Sequence, residues 1–463
     1  MTAMMWFRSD LRIDDNTALH NALNQRQCSA AVFYATPEQW REHAMAPVKT
    51  EFLWRCLIEL REALAQLNVP LFVRIVPRFA DIAADLLALC AELKCDAVFA
   101  NREYAINEMR RDEAIEKKLA ESAIAWHCYD DAVLLPPAAV RTQQGQPFKV
   151  FTPFKRALLE RIGDSAMDCL KIKKAQAWRE APALPTYPYD SSTVSEKLWP
   201  AGEKAARKQL KNFIEHAIDN YQTLRDVPAE DATSRLSPYL ALGVISIRRC
   251  VEAALAVNTG QWQSGSAGVT TWLNELIWRE FYLHVLAQFP RVSMHRPLRI
   301  DTEKVQWRTD EKDFRAWCEG RTGYPLVDAA MRQLLQTGWM HNRLRMVCAM
   351  FLSKYLLLDW RLGEAFFMRH LIDGDLAANN GGWQWSASTG TDAAPYFRLL
   401  SPIRQQERFD ADARFCKQFL PELAHVGAKI IAQPGHPDLI ATGYPAPIVD
   451  LKFARERALQ AFA

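Results

Sequence analysis

Trp272, Glu275, Trp278, Arg279 and Tyr282 recur at spacings of three and four in the segment TWLNELIWREFYLH, residues 271–284. On a helix that spacing puts them on one face. A face meant only to pack would carry leucine. Indoles and a phenol with an acid and a base among them suit a planar, partly polar ligand. An amphipathic packing face with charges at its rim is the alternative, and the segment alone leaves it open. TSRLSPYLALG (233–243) opens with hydroxyl residues at an expected helix start, with Ser234 and Ser237 three apart. They either cap backbone N–H groups or join those groups in holding a phosphate; taken alone, capping is favoured. TGWMHNRLRMVC (337–348) brings Trp339, Asn342, Arg345 and Met346 within two turns. LIDGDLAANNGGWQWSASTGTDAA (371–394) combines Asp373, Gly374, Asp375, Asn379 and Asn380 with Trp383 and Trp385. The spacing of a calcium loop does not follow its DGD triplet, so calcium is rejected. Hydroxyls, amides, carboxylates and tryptophans gathered this way point to a flat heteroaromatic cofactor. Of the 15 tryptophans, nine lie between Trp262 and Trp385.

The elements that must position these residues fall into two kinds. In the first 130 residues, AMMWF (3–7), AAVFY (30–34), LFVRIV (71–76), AVFA (97–100) and IAWHCY (124–129) read as strands. Residues 47–67, 79–93 and 107–122 have helical periodicity. Strands alternating with helices predict a doubly wound parallel sheet over residues 1–131, with ligands beyond the carboxyl ends of the strands. One glycine, Gly145, occurs in the first 150 residues, so neither a GxGxxG nor a Walker loop exists there. Prolines and serines cluster through 132–200, which predicts a long interdomain linker with one helix at 151–161. From 201 to 463 strand-like alternation gives way to helical patterns over 202–221, 246–257, 270–288, 325–337, 341–358 and 361–371, an all-α domain. The predicted fold class is thus α/β plus all-α.

With 463 residues, 49% hydrophobic and 24% charged, the chain has the composition of a globular protein of two or three domains. Disordered and fibrous classes are excluded. No apolar run reaches the ~20 residues of a membrane span. The N-terminus lacks the features of a secretory signal. Ten cysteines without a CxxC pair read as reduced thiols of a cytoplasmic protein, with no metal site. Net charge is +3; residues 195–463 contribute +4 (33 Lys+Arg, 29 Asp+Glu), enough for a local nucleic-acid patch without requiring one.

The segments WFRSDLRIDDN, TSRLSPYLALG, WLNELIWREFY, GRTGYPLVDAAMRQL, TGWMHNRLRMV and LIDGDLAANNGGWQWSASTGTDAAPYFR strongly resemble the photolyase/cryptochrome family. Nearest is its bacterial branch that repairs cyclobutane pyrimidine dimers and carries a folate antenna. The resemblance spans nearly the whole chain. It implies a helical domain holding FAD, with Tyr221, Thr233, Ser234, Arg235, Leu236 and Ser237 at its phosphates and ribose. Trp272, Arg279 and Trp339 would line the flavin cavity. Arg345 and Asp373 would pair beside the isoalloxazine, with Gly374 and Asp375 at its polar edge. Asn379 would face flavin N5, favouring the reduced cofactor FADH⁻. Glu275, Trp278, Tyr282, Asn342, Met346 and Trp385 would receive a flipped-out dimer; photolyases are themselves a standard example of such flipping. A protonated Glu275 would hydrogen-bond a pyrimidine carbonyl. Arg343, Arg398 and Arg404 would contact DNA phosphates. The implied reaction is light-driven electron transfer from FADH⁻ to the dimer. Trp383, Trp360 and Trp307 match the family's chain from flavin to surface; without the resemblance they read as core aromatics.

Asn107 and Glu108 match contacts to the pterin of a 5,10-methenyltetrahydrofolate antenna. A Cys-Lys contact of the family is Ser293-Met294 here, so those antenna contacts are lost or replaced. The expected enzyme is a monomer acting on dimer-containing DNA. A cryptochrome photoreceptor without repair activity is the nearest rival. Against it stand Asn379, where many signalling members carry an acid or cysteine, and the short stretch after Arg398. A (6-4) photolyase would carry a histidine pair where Asn342 and Met346 stand. A nucleotide-binding α/β domain fused to a non-enzymatic helical module would explain the first 130 residues but not the clustering after Trp272.

Overall fold

The computed structural model describes residues 2–163, 169–175, 180–189 and 192–462. Parts of the expected linker (164–168, 176–179 and 190–191) lie outside the described residues. The five apolar runs form β1 (Thr2–Phe7), β2 (Gln27–Ala35), β3 (Leu71–Ile75), β4 (Ala97–Asn101) and β5 (Ala125–Tyr129). All pair in parallel, in the order β3-β2-β1-β4-β5. Met4, Trp6, Val32, Val98 and Ala100 point into one buried cluster with the helix Phe79–Leu93. Their alternates Met5, Phe7, Phe33 and Phe99 are buried on the other face. Burial on both faces is why these strands read as continuous apolar runs. Helices Thr17–Gln25 and Pro37–Glu42 were not apparent from periodicity. The first is capped by Asn16, which accepts from Leu19 N (3.0 Å); the second is a six-residue turn opened by proline.

The strand order reverses at β1, where open sheets usually bind ligands. In this sheet polar side chains fill that edge. Arg8 donates to both oxygens of Asp112 (2.7 and 2.6 Å) and to the carbonyl of Asn101. Asp10 accepts from Arg8 N (2.6 Å) and Asn101 Nδ2 (2.7 Å), and its burial pushes its carboxyl pKa up.

Beyond the sheet the regular elements among the described residues are helices, with one isolated bridge between Arg308 and Leu358. Compactness divides the chain differently from the expected limits at 131 and 200. One unit is 1–192 with 196–219 and 234–290; the other is 193–195 with 220–233 and 291–463. The first unit is interleaved for physical reasons. Arg248 pairs with Asp15 (2.9 Å) and Asp131 (2.7 Å), and Arg12 pairs with Asp131 (2.5 Å). These cations hold the Asp131 carboxyl far below its usual range against the opposing effect of burial. Gly243, at φ +58°, lies so close to the backbone of Ser9 and Asp10 that a side chain would not fit.

The second unit has its own core, built around Trp317, Leu326, Leu344, Phe351, Phe367 and Trp383. The expected single helix over 341–358 is instead Asn342–Met350 followed by a π-helical turn, Phe351–Tyr355. The glycine-rich 371–394 contains a helix, Leu376–Ser386, despite its weak helix formers. Asp375 caps it by accepting from Ala378 N (2.9 Å), and packing of Trp383 supplies what propensity lacks.

Candidate functional site

In the first unit, the helix Ala267–Gln288 carries Glu275, Trp278, Arg279 and Tyr282 as a half-buried stripe beside its buried face. Trp272 departs from that stripe: it is buried and packs on Phe213 with centroids 5.0 Å apart. Arg279 donates to the carbonyls of Ala132 (2.7 Å) and Leu240 (3.4 Å). Next to it, fully buried Glu280 accepts from the backbone N–H groups of Leu134 (2.8 Å) and Leu135 (3.1 Å). These bonds strap segment 132–135 onto the helix and fix its rotation. Trp278 lies flat on Phe151, with ring centroids 3.7 Å apart and planes 4° apart. One indole face is therefore covered by protein. Sequence reasoning missed Phe151, because nothing local links it to Trp278.

In the turn before the short helix Ser237–Ala241, Leu236 is the N-cap residue and no side chain caps the helix. The hydroxyls favoured for capping therefore do not occupy the N-cap position itself. Arg235 is exposed, with φ +49°. On the sheet side, Asn107 and Glu108 open the helix Ile106–Glu121 just after β4. His43 meets both, at 3.0 Å from Asn107 Nδ2 and 3.6 Å from Glu108 Oε1. Burial, with the Glu103 carboxylate adding to it, pushes Glu108 up to about 7, and its Oε2 is buried with no partner among the described residues.

In the second unit, Arg345 and Asp373 form the expected pair at 2.7 Å, with Asp373 nearly inaccessible. Arg345 Nε also donates to Met340 O (2.8 Å), which fixes the plane of the guanidinium. The second carboxylate oxygen, Asp373 Oδ1, is buried without a partner among the described residues. An orphaned acceptor of this kind suits a ligand that brings N–H or O–H donors, as a flavin ring and its ribityl chain do. Asn379 Nδ2 donates to the carbonyl of Glu364 (3.0 Å), which orients the amide. Glu364 is buried at the centre of a network the sequence did not reveal. It accepts from Asn380 (2.9 Å) and lies 3.0 Å from His295, while Gln384 donates to Asn380 (2.8 Å). A charged residue inside the apolar face of WRLGEAFF was the available signal. Asp375, matched to the flavin's polar edge, serves here as the helix cap. Gly374 follows the same loop, its N–H directed to Leu371 O (3.2 Å). Tyr221 is buried under the Arg225 guanidinium, and Thr233 is half-buried.

Among the matched tryptophans, Trp383 and Trp360 are buried and Trp307 is half-buried, edge-on to Phe462 at 5.7 Å. Trp383 meets Phe367 (5.0 Å) and Trp317 (6.0 Å), a tryptophan the sequence reading did not single out. Trp339 stands edge-on to His341, and Asn342 and Met346 follow on the helix His341 caps. Asn342 is exposed; Met346 and Trp385 are half-buried. Arg343 is ion-paired with Asp226 (2.6 Å) and lies over Phe409 (4.9 Å), so a phosphate must compete with a carboxylate for it. Arg398 and Arg404 are exposed. Among the described residues no cluster suits a metal ion, and no helix is long and apolar enough to cross a membrane.

Residues 3–175 match the family model described as DNA photolyase, and residues 272–463 match the FAD binding domain of DNA photolyase. The chain is 46% identical over 466 residues to the deoxyribodipyrimidine photo-lyase of Vibrio cholerae, covering 99% of this chain and 98% of that protein. A class III photolyase from Agrobacterium tumefaciens superposes with a TM-score of 0.87 at 35% identity, covering 100% of this chain and 97% of that one. A Synechocystis cryptochrome superposes with a TM-score of 0.84 at 25% identity, over 99% of both chains. End-to-end identity of this extent with a photo-lyase means that the chain belongs to the photolyase/cryptochrome family.

Proposed function

We propose that the protein is a deoxyribodipyrimidine photo-lyase that repairs cyclobutane pyrimidine dimers in DNA by light-driven electron transfer. The observation that carries this reading is the buried Arg345–Asp373 pair with its orphaned carboxylate oxygen. Bound as FADH⁻, the flavin supplies the light-absorbing electron donor. Arg345, fixed by Asp373 and Met340 O, contributes a positive charge to the flavin site. Asn379 Oδ1 would accept a hydrogen bond from a protonated ring nitrogen and so would favour the reduced cofactor. Glu275, Trp278 and Tyr282 on the first unit, and Asn342, Met346 and Trp385 on the second, are each suited to contact the dimer. Glu275, as the carboxylic acid, donates a hydrogen bond to a pyrimidine carbonyl, and the Trp278 face away from Phe151 stacks on a base. Buried Trp383 and Trp360 and half-buried Trp307 are the side chains that would relay electrons between the surface and the flavin site.

A folate antenna is held by Asn107 and Glu108, whose orphaned Oε2 suits a pterin N–H donor. Occupancy is partial, because the sequence reads Ser293-Met294 where the family has a Cys-Lys contact. The enzyme acts as a monomer in the cytoplasm. The test is incubation of purified, reduced protein with a dimer-containing oligonucleotide in light and in darkness. Restoration of intact pyrimidines in light alone supports the reading; equal dimer content in both refutes it. A cryptochrome would bind FAD and photoreduce it yet leave the dimers intact.

A further inference from the structure

Lys354 lies in the π-helical turn Phe351–Tyr355 and is fully buried. Its Nζ has one hydrogen-bond partner among the described residues, the carbonyl of Arg398 at 3.1 Å. Burial, with the nearby Arg398 cation adding to it, pushes the Lys354 ammonium down to about 7. A buried amine satisfied by one carbonyl is a poor choice for stability, and an apolar side chain of similar length would fill the space at less cost. π-helical turns inside α-helices are frequent at functional sites.

The carbonyl that Lys354 holds ends an exposed turn, Pro395–Arg398, closed by Arg398 N donating to Pro395 O (2.8 Å). The turn displays Tyr396 and Phe397 edge-on to each other at 5.6 Å, with Phe397 59% exposed. Its other end is also fixed. Ala394 N donates to Trp385 O (3.2 Å), and Ser388 Oγ donates to Ala394 O (2.6 Å). Two aromatics and a guanidinium are thus held on a turn clamped at both sides, with Lys354 as one of the clamps.

We propose that Lys354 is a positioning residue for DNA binding: by holding the Arg398 carbonyl it fixes the Pro395–Arg398 turn so that Arg398 reaches a phosphate of the damaged strand. The proposal rests on the repair function above. The test uses FAD-loaded full-length protein and measures affinity for a dimer-containing oligonucleotide as a function of salt. Lys354→Met should retain FAD and unfold at the same or a higher temperature than the parent. Its salt slope should be shallower by about 0.9, the loss of one phosphate contact. Arg398→Ala should lose the same increment, and the double variant no more than either single one. Hydrogen exchange at Ala394 and Arg398 should quicken in Lys354→Met. Lys354→Gln, which keeps a neutral donor, should retain most of the parental slope. An unchanged slope in Lys354→Met, a double variant whose losses add, or a folded Lys354→Gln that loses the contact would each overturn the positioning role. Should Lys354→Met fail to give holoprotein, its buried amine serves stability and the proposal is wrong. A parent that splits no dimers in light refutes the repair function itself, which separates the two failures.

Discussion

His341 should make the second unit acid-sensitive in a way one substitution can remove. Its ring caps the helix Asn342–Met350: Nδ1 accepts from Arg343 N (3.2 Å). A protonated ring cannot accept that bond, and its charge would sit at the positive end of the helix. Burial lowers its pKa from 6.5 to about 4; Asp226 opposes the shift, while Arg345 and Arg343 add to it. The folded state therefore prefers the neutral ring. The stability this contributes is fully present above the unfolded value of 6.5 and is lost as pH falls toward the folded value of about 4. Linkage between those two values gives a loss of about 2 kcal/mol on going from about pH 7.5 to about pH 5. Asparagine caps helices well and does not titrate. His341→Asn adds a pH-independent offset from the smaller side chain, so the slope is what matters. Chemical denaturation of holoprotein across this range should show the parent losing about 2 kcal/mol more than the variant. Groups titrating in both proteins, Glu108 among them, cancel in the difference. Parallel curves would show that His341 does not titrate as its burial requires.

Gly363→Ala would drive a methyl into the Trp383 indole and the Leu352 side chain, costing about 1–3 kcal/mol in thermal or denaturant unfolding; a parental unfolding midpoint would mean the two helices separate freely. Trp307→Phe should abolish light-driven reduction of oxidised flavin while chemically reduced protein still repairs DNA, since phenylalanine is much harder to oxidise than indole. Equal photoreduction in mutant and parent would send electrons by another route, with buried Trp317 the first alternative relay because its ring lies 6.0 Å from that of Trp383. Glu275→Ala should leave flavin content unchanged and lower the dimers split per photon more than it lowers affinity, because a hydrogen bond that strengthens as charge develops acts on the splitting step. Loss of flavin with a parental yield in the remaining holoprotein would place Glu275 in the cofactor wall instead.

The sheet could be read from sequence because its strands are buried on both faces and appear as unbroken apolar runs. The ion pair Arg345–Asp373 and the amide at Asn379 were likewise carried by distinctive wording in two segments. What could not be read depends on partners distant in sequence. Phe151 behind Trp278 and Lys354 beneath Arg398 are each ordinary residues until the fold brings their partners to them. The helix Leu376–Ser386 was hidden because its support comes from the Asp375 cap and Trp383 packing rather than from propensity. Domain limits drawn from composition missed that Arg248 and its neighbours tie helices after Ser234 to the sheet loops through Asp15 and Asp131.

The repair reaction requires that the bound reduced flavin be the species that absorbs the productive photon. The wavelength dependence of dimer splitting, measured on purified holoprotein with its flavin fully reduced and any folate removed, tests this directly. Splitting should follow the absorption band of the protein-bound reduced flavin and fall to zero in darkness. Splitting in darkness, or none at any wavelength that this flavin absorbs, would contradict the assignment of the protein as a flavin-dependent photo-lyase.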